Sequence, residues 1–176
     1  MTKATNVDGT VVGWDERGRK RRVAYPEGRV IEYEYYENGK LRKETCPNGS
    51  VKEYDENGVL RKWTDLDGSY AEYEYYENGK IRKWTYSDGR VEEFDENGVL
   101  RKWTYSDGRV EEYEYHANGK MRKATRSDGC VFEYHENEKL KKETRANGDV
   151  YEYDRQGKKV RPRLSKMINV IRRMTR

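Results

Sequence analysis

The sequence is poor in the residues that cross-link or punctuate most small folds. Its 176 residues include only 3 prolines, 2 cysteines and 2 histidines. Cys46 and Cys130 are far apart, and neither has a cysteine or histidine nearby at metal-ligand spacing, which predicts free thiols. No apolar run approaches the roughly 18 residues that a transmembrane helix needs. These absences argue against disulfide-rich domains, zinc-stapled domains and helical membrane proteins.

The chain also lacks the apolar N-terminal stretch of a secretory signal peptide. A cytoplasmic location is therefore the default expectation, and export by a route without a cleaved signal stays open. Hydrophobic residues make up 33% and charged residues 40% of the chain, which is too polar for an ordinary two-layer globule. Disorder is not expected, because 16 tyrosines and 4 tryptophans are far more aromatics than disordered segments carry. This balance favours a sheet with both faces largely solvated.

Glycine marks an internal repeat, because it recurs along the chain in a regular cycle of spacings. Successive turn glycines are separated by 9, 10, 11 and 10 residues, and the cycle then repeats. Glu138 occupies the one position of the series where glycine is missing. The unit is therefore 40 residues long, and residues 49–88 and 89–128 are identical at 27 of these positions. A period of this length predicts a repeat architecture.

Two turn sequences alternate along the repeat. Asp-Gly, as at 67–68, is typical of a two-residue hairpin turn, whereas Glu-Asn-Gly, as at 77–79, fits a type I turn closed by a glycine bulge. The runs between turns have the length and composition of strands, with many Tyr, Val, Trp and Thr residues. The predicted fold class is all-β. It is an antiparallel β-hairpin repeat array over residues 1–158, a single-layer or coiled meander of about 15–16 strands, with a short C-terminal α-helix over residues 159–176.

These turns imply a register for neighbouring strands. Glu72 is expected opposite Trp63 on one side and opposite Trp84 on the other. One face of the sheet then carries tryptophans, arginines and glutamates. The other carries Leu60, Ile81, tyrosines and lysines, and it is expected to be the more buried face. A one-residue error in a turn would exchange the two faces.

The repeat also has a family resemblance. Residues 73–81 read Tyr-Glu-Tyr-Tyr-Glu-Asn-Gly-Lys-Ile, and residues 104–108 read Thr-Tyr-Ser-Asp-Gly. This pattern resembles the YD repeats of bacterial RHS-type proteins over most of residues 5–158. The Tyr-Tyr-Glu-Asn-Gly-Lys-Ile stretch is also similar to the MORN-variant repeats of small YwqK-type proteins, which are labelled antitoxins. The resemblance implies a binding or adhesion module, or an immunity-like partner of a toxin.

Regular repeats do not favour catalysis, because they supply the same side chains everywhere. His116 and His135 stand where other copies have Tyr76 and Asp95, and both are expected to be solvated side chains beside turns. The carboxylates fall opposite Arg and Lys, which is typical of cross-strand charge pairs rather than of an acid–base couple. Turns account for 15 of the 16 glycines, so no glycine-rich phosphate-binding loop is expected. The chain is predicted not to be an enzyme and to need no cofactor or metal.

Aromatic residues are the candidate binding groups. Trp63, Trp84 and Trp103 precede the repeated threonine in the central copies, where outer copies have Val, Glu or Ala. On alternate strands they would form a row with a spacing of about 10 Å. Together with Tyr86 and Tyr105, this row is a candidate strip for a protein segment or a carbohydrate. The alternative is that these rings stabilise a sheet without a second layer.

Basic charge is concentrated at the C-terminus. Residues 158–176 carry eight basic side chains and no acidic one, with apolar residues at helical spacing. The predicted helix either caps the last strand or contacts an anionic membrane or acidic partner. The candidate contact residues are Lys166, Arg172, Arg173 and Arg176. Because the whole chain carries only +4, the array itself is net negative, which argues against nucleic-acid binding. The leading hypothesis is a non-catalytic scaffold that binds another protein.

Overall fold

The computed structural model describes residues 2–160, and all of their regular structure is β-strand. Seventeen antiparallel strands belong to one hydrogen-bonded sheet, which confirms the all-β hairpin array. Among these residues no helix is long and apolar enough to cross a membrane.

The end of the array corrects the boundary predicted for the C-terminal helix. Lys159 and Val160 form the last strand, opposite Tyr153 and Glu152, instead of beginning a helix. The turn at 154–157 closes a hairpin like the others, so residues 158–160 return along the sheet. The rest of the predicted helix, including the four candidate contact residues of the tail, lies outside the described residues.

The strands divide between two compact units. The first contains the residues up to Leu100 together with Tyr105–Gly108, and the second contains Arg101–Thr104 and the residues from Arg109 onward. The first ten strands are β1 (Thr2–Thr5), β2 (Val11–Trp14), β3 (Lys20–Ala24), β4 (Val30–Tyr35), β5 (Leu41–Thr45), β6 (Val51–Tyr54), β7 (Leu60–Thr64), β8 (Tyr70–Tyr75), β9 (Ile81–Tyr86) and β10 (Val91–Phe94). The remaining strands are β11 (Leu100–Thr104), β12 (Val110–Tyr115), β13 (Met121–Arg126), β14 (Val131–Tyr134), β15 (Leu140–Thr144), β16 (Val150–Tyr153) and β17 (Lys159–Val160). Within each unit, the described strand pairs are neighbours in sequence.

Every described turn has one geometry, which corrects the expectation of two alternating types. At Asp65–Gly68 the Gly68 N–H donates to the Asp65 carbonyl at 3.0 Å, and the Asp65 N–H donates to the Ser69 carbonyl at 2.7 Å. Gly68 has a φ of +85°, in the left-handed region. This is a type I turn followed by a glycine bulge, with three residues in the loop. The Asp-Gly pair therefore forms the end of a three-residue loop rather than a two-residue turn.

The longer loop moves the register between β7 and β8 by one residue from the prediction. Trp63 lies opposite Ala71, and Glu72 lies opposite Lys62. Lys62 Nζ is 3.1 Å from Glu72 Oε1, so a charge pair forms where an aromatic–acid pair was expected. The prediction was wrong here because Asp-Gly occurs in both turn types.

A bulge also changes the pairing between β8 and β9. Tyr75 lies opposite Ile81, as predicted, but the register shifts between Glu74 and Tyr75. As a result, Tyr73 lies opposite Trp84. The tryptophans therefore share a face with the tyrosines, and not with the glutamates.

We use the name aromatic face for the side of the first unit on which these rings lie. Along β6–β9 it carries Lys52, Tyr54, Leu60, Trp63, Ala71, Tyr73, Tyr75, Ile81, Trp84 and Tyr86. The opposite side, the charged face, carries Lys62, Thr64, Glu72, Glu74, Lys83 and Thr85. Three hydrophobic side chains are buried within residues 2–160, namely Val12, Val23 and Ala124, and in the 40-residue repeat they correspond to Lys52, Trp63 and Trp84. The small apolar core of each unit therefore follows this one face.

Candidate protein-interaction surface

Exposed apolar side chains gather at the β7–β8 hairpin, where Trp63 lies on the aromatic face and Tyr70, opposite Thr64, lies on the charged face. Of the seven exposed large hydrophobic residues in the described chain, three lie within residues 63–70. Trp63 is 38% exposed, Leu66 78% and Tyr70 36%. Exposed apolar groups that cluster in this way, rather than being scattered singly, mark interaction sites on soluble proteins. The β7–β8 hairpin is therefore the candidate interaction surface of the first unit.

A groove of about 280 Å³ lies beside Trp63. Ala71 lies within it, directly opposite Trp63 on β7 and Tyr86 on β9. The two aromatic residues are separated by two strand spacings, about 9.5 Å between their Cα atoms. The full lining is Trp63, Asp65, Ser69, Tyr70, Ala71, Tyr73, Tyr86, Ser87, Asp88 and Arg90. We refer to this depression as the alanine groove.

The groove exists because one repeat has a small residue where the others do not. The positions equivalent to Ala71 in the 40-residue repeat are Ile31, Glu111 and Tyr151. Each of these side chains is larger than a methyl group and would extend from the sheet between the two flanking strands. The departure from the repeat at Ala71 is therefore the local cause of the concave shape.

The aromatic wall of the alanine groove is held in place by ring contacts. The centroids of Tyr73 and Trp84 are 5.4 Å apart with a tilt of 40° between the rings, and Trp84 and Tyr86 stack at 5.3 Å with 17° between their planes. Trp84 Nε1 is buried and finds no hydrogen-bond acceptor among residues 2–160. Trp84 is half-buried and contacts both tyrosine rings, so it contributes to packing within the aromatic face.

Tyr86 is fixed on three sides. Its ring stacks on Trp84, the Arg90 guanidinium carbon lies 4.5 Å from its centroid, and its hydroxyl donates to Glu92 Oε1 at 3.0 Å. Burial raises the pKa of Tyr86 to about 12, and the hydrogen bond to the Glu92 carboxylate adds to the shift. At neutral pH Tyr86 is therefore a neutral, oriented ring.

The rim of the alanine groove carries two carboxylates in different states. Asp88 accepts from the Arg90 backbone N–H at 3.0 Å and from Arg90 Nε at 2.7 Å, and these bonds lower the pKa of its carboxyl. Asp65 makes no ion pair with any residue of the described chain, although it lines the same groove. On this rim, Asp88 is paired with Arg90, whereas the Asp65 carboxylate is available to a cation from a partner.

A second groove lies on the other side of Trp63. Its lining is Arg29, Cys46, Pro47, Asn48, Ser50, Lys52 and Trp63. Lys52 Nζ lies 5.3 Å from the centroid of the Trp63 ring, and Ser50 is almost fully buried at 1% exposure. We refer to this depression as the proline groove, after Pro47. Trp63 is thus a ridge with a groove on each side.

The structure brings together some of the predicted binding residues. Trp63 and Tyr86 line the alanine groove, and Trp84 stacks against Tyr86 on the same face of β9. Trp103 lies on β11 in the second unit, opposite Glu111, and Tyr105 begins the turn at Tyr105–Gly108. Sequence reasoning missed the roles of Ala71 and Asp65. The small residue at one copy of a repeated position was the signal that could have found the groove.

The histidines are half-buried and hydrogen-bonded, which corrects the expectation of fully solvated side chains. His116 Nε2 lies 3.0 Å from the Tyr134 carbonyl oxygen, and His135 Nε2 lies 3.3 Å from that of Tyr153. A carbonyl oxygen only accepts, so both nitrogens donate. Tyr76, the equivalent of His116, reaches the corresponding carbonyl through its hydroxyl at 2.6 Å. The histidines therefore fasten one turn to the next turn along the same edge.

Comparison with known families supports the repeat assignment. The family described as MORN repeat variant matches residues 30–46, 47–62, 71–88, 87–107 and 127–145, together just over half of the chain. This confirms the MORN-variant likeness expected from the sequence, whereas the likeness to YwqK-type proteins in particular stays a prediction. No curated protein sequence matches the chain.

The chain is also similar to several solved structures. The SAS-4 (dCPAP) TCP domain of Drosophila melanogaster, in complex with a proline-rich motif of Ana2 (dSTIL), has 16% identity and a TM-score of 0.50, covering 88% of this chain and 90% of that one. The wild-type TCP10 domain of Danio rerio CPAP has 18% identity and a TM-score of 0.45, with 90% and 97% covered. TcdB2-TccC3-TEV has 16% identity and a TM-score of 0.43, with 90% of this chain and 10% of that chain covered. Likenesses at this level of identity concern the fold alone.

Proposed function

The chain belongs to the MORN repeat variant family, and from this premise we propose that it is a non-catalytic β-repeat scaffold that binds a protein partner through the aromatic face of its first unit. The observation that carries the proposal is the exposed ridge of Trp63 between two grooves. Its neighbours Trp84 and Tyr86 are already fixed by stacking. Binding costs less when aromatic anchors are ordered before the partner arrives.

The chemistry of the alanine groove suits recognition better than catalysis. Burial raises the pKa of both Tyr73 and Tyr86, so their phenols stay protonated near neutral pH. Asp88 is occupied by Arg90. The groove therefore offers ring surfaces and hydrogen bonds instead of an activated nucleophile or a base with a raised pKa.

The partner is an extended protein segment that crosses the ridge. The similar fold of the SAS-4 TCP domain occurs in complex with a proline-rich motif, which supports testing extended segments first. The YwqK-type resemblance makes a toxin one candidate source of such a segment. A carbohydrate is the second candidate ligand, because Trp63 lies beside the Ser69 and Ser87 residues of the same groove and a sugar ring needs both surfaces.

Parallel display selections test this proposal. A library of unstructured peptides is selected on the immobilised full chain, on a Trp63→Ala variant and on a Trp14→Ala variant. Trp14 is the matched control, since it lies on β2 outside both grooves. The proposal predicts clones that bind the wild type and Trp14→Ala but are lost on Trp63→Ala.

Two results of the selections would overturn the proposal. One is a set of clones that bind Trp63→Ala as well as they bind the wild type. The other is a failure to enrich any clone over the bare support. If, in that second case, a glycan array shows binding that Trp63→Ala removes, the carbohydrate candidate replaces the protein partner.

A further inference from the structure

We infer that the two grooves beside Trp63 hold residues i and i+3 of a polyproline II segment that carries a basic residue between them. The inference rests on the proposed function and specifies its partner. It follows from three features of the described residues, which are the spacing of the grooves, the shape of the alanine groove and the charge of Asp65.

The spacing of the grooves selects the backbone conformation of the partner. Ala71 on β8 lies in one groove and Lys52 on β6 lines the other, with Trp63 on β7 between them and opposite both. Two strand spacings amount to about 9.5 Å. A polyproline II helix advances about 3.1 Å per residue with three residues per turn, so residues i and i+3 lie on one side about 9.3 Å apart. A β-strand instead places same-side residues about 6.7 Å apart.

The alanine groove suits a proline ring. Its floor is the Ala71 methyl group, and its walls begin at Trp63 and Tyr86, about 9.5 Å apart at their Cα atoms. A compact apolar ring fits between these walls and contacts the exposed indole. Polyproline II segments also lose little conformational entropy on binding, which favours recognition by an open, single-layer surface.

The negative charge of Asp65 beside the ridge favours a basic residue between the two prolines of the partner. Asp65 follows β7, the strand of the ridge, and its carboxylate has no ion pair within the described chain. In the other groove the cations are already engaged, since Lys52 lies 3.7 Å from Glu44 and Arg29 pairs with Glu27. The unmatched charge is therefore negative, and a basic side chain at i+1 or i+2 complements it.

The test uses synthetic peptides with the full chain. One peptide repeats the triplet Pro-Arg-Ala, which places prolines at i and i+3, and the other repeats Pro-Arg-Ala-Ala, which breaks this spacing. Binding is measured by isothermal titration calorimetry at low and at moderate salt. We expect the triplet peptide to bind at least about tenfold more tightly, the equivalent of about 1.4 kcal/mol.

Groove-filling variants come from the repeat itself. Ala71→Ile installs the residue of the equivalent position Ile31, and Cys46→Tyr installs that of Tyr86. Because other copies carry these residues, both variants are expected to fold, and far-UV circular dichroism checks this. Each variant should weaken the binding of the triplet peptide by roughly tenfold. Asp65→Asn should weaken it several-fold at low salt and less at moderate salt, whereas Glu72→Gln on the charged face should leave it unchanged.

The outcomes separate this inference from the proposed function. Equal affinity for the two peptides, no binding of either, or triplet affinity unchanged by Ala71→Ile would overturn the inference. A peptide from the library that depends on Trp63 but lacks the i, i+3 spacing would also overturn it while leaving the proposed function in place. Triplet preference together with loss in both groove-filling variants supports it.

Discussion

Tyr73 on β8 and Trp84 on β9 face each other across a hairpin with their ring centroids 5.4 Å apart. This pair exists because the bulge between Glu74 and Tyr75 shifts the register, and it places both rings on the same face. Aromatic pairs contribute about 0.5–1.5 kcal/mol beyond the area they bury. Because the described residues of this unit form only strands of one sheet, such pairs supply part of the packing that a core would otherwise provide.

The two tryptophans of the aromatic face should differ in their effect on stability. Trp84→Ala removes the ring that contacts both Tyr73 and Tyr86, and we expect it to lower the free energy of unfolding by about 2 kcal/mol or more. Trp63→Ala removes an exposed ring and should cost less than about 1 kcal/mol. Urea unfolding followed by circular dichroism measures both. Equal losses in the two variants would contradict the assignment of Trp84 to packing and Trp63 to the surface.

Glu138 is a built-in destabilising residue. It has a φ of 65° at the position where fifteen other turns have glycine. A left-handed conformation costs a non-glycine residue about 1–2 kcal/mol, and the exposed ion pair of Glu138 with Lys120 offsets little of this. We therefore expect Glu138→Gly to raise the free energy of unfolding by about 1 kcal/mol. Gly98→Glu, the matched reverse change one repeat earlier, should lower it by a similar amount. A stability that is unchanged in both variants would show that these turns tolerate either residue.

The side-chain hydrogen bond that links one turn to the next along an edge should require a donor, whether that donor is a tyrosine hydroxyl or a histidine N–H. The Tyr76 hydroxyl donates to the Phe94 carbonyl at 2.6 Å, and His116 makes the equivalent bond at 3.0 Å. Tyr76→Phe should lower the free energy of unfolding by about 1 kcal/mol, the contribution of one hydrogen bond. His116→Tyr should be tolerated, because it installs the residue of the other copy. Denaturation midpoints decide the matter, and a harmful His116→Tyr would show that the fastening is specific to histidine.

Alkaline pH should ionise the Tyr86 hydroxyl and break its hydrogen bond to Glu92. Its pKa is raised from 10.0 to about 12 by burial and by Glu92. Because the folded-state pKa is the higher one, its stabilising contribution is complete below pH 10 and is lost as the pH rises toward 12. Glu92→Gln removes the carboxylate, so the pKa of Tyr86 should fall and its contribution should be lost over a narrower range. The measurement is tyrosinate absorbance during alkaline titration, with Tyr86→Phe identifying the relevant step. A Tyr86 step that Glu92→Gln does not move would contradict the role given to Glu92.

Much of the fold could be predicted from the sequence, because the turn glycines repeat and the intervening runs have strand composition. The register could not be, since Asp67-Gly68 fits both a two-residue turn and the end of a three-residue loop. What decides between them is the hydrogen bonding of Asp65 with Gly68 and Ser69, which becomes visible only in the structure. An error of one residue then exchanges the faces, and the tryptophans were predicted on the wrong side relative to the tyrosines.

The candidate site was predictable only in part for a similar reason. The tryptophan row was recognisable from the position of Trp63 and Trp84 in the repeat. The alanine groove depends on Ala71 lying opposite both Trp63 and Tyr86, and this relationship requires the correct register. The contribution of Asp65 depends on which cations the neighbouring carboxylates already engage, and local sequence does not reveal this.

The central claim is that Trp63 and its two grooves form the binding surface. The most direct measurement is a heteronuclear NMR titration that follows the indole N–H signals of the four tryptophans as a Trp63-dependent partner peptide is added. Individual Trp→Phe variants assign each signal. We predict a large shift for Trp63, a smaller one for Trp84 beneath the groove wall, and none for Trp14. Shifts that appear for Trp14 while Trp63 stays unmoved would place the binding surface elsewhere and contradict the account.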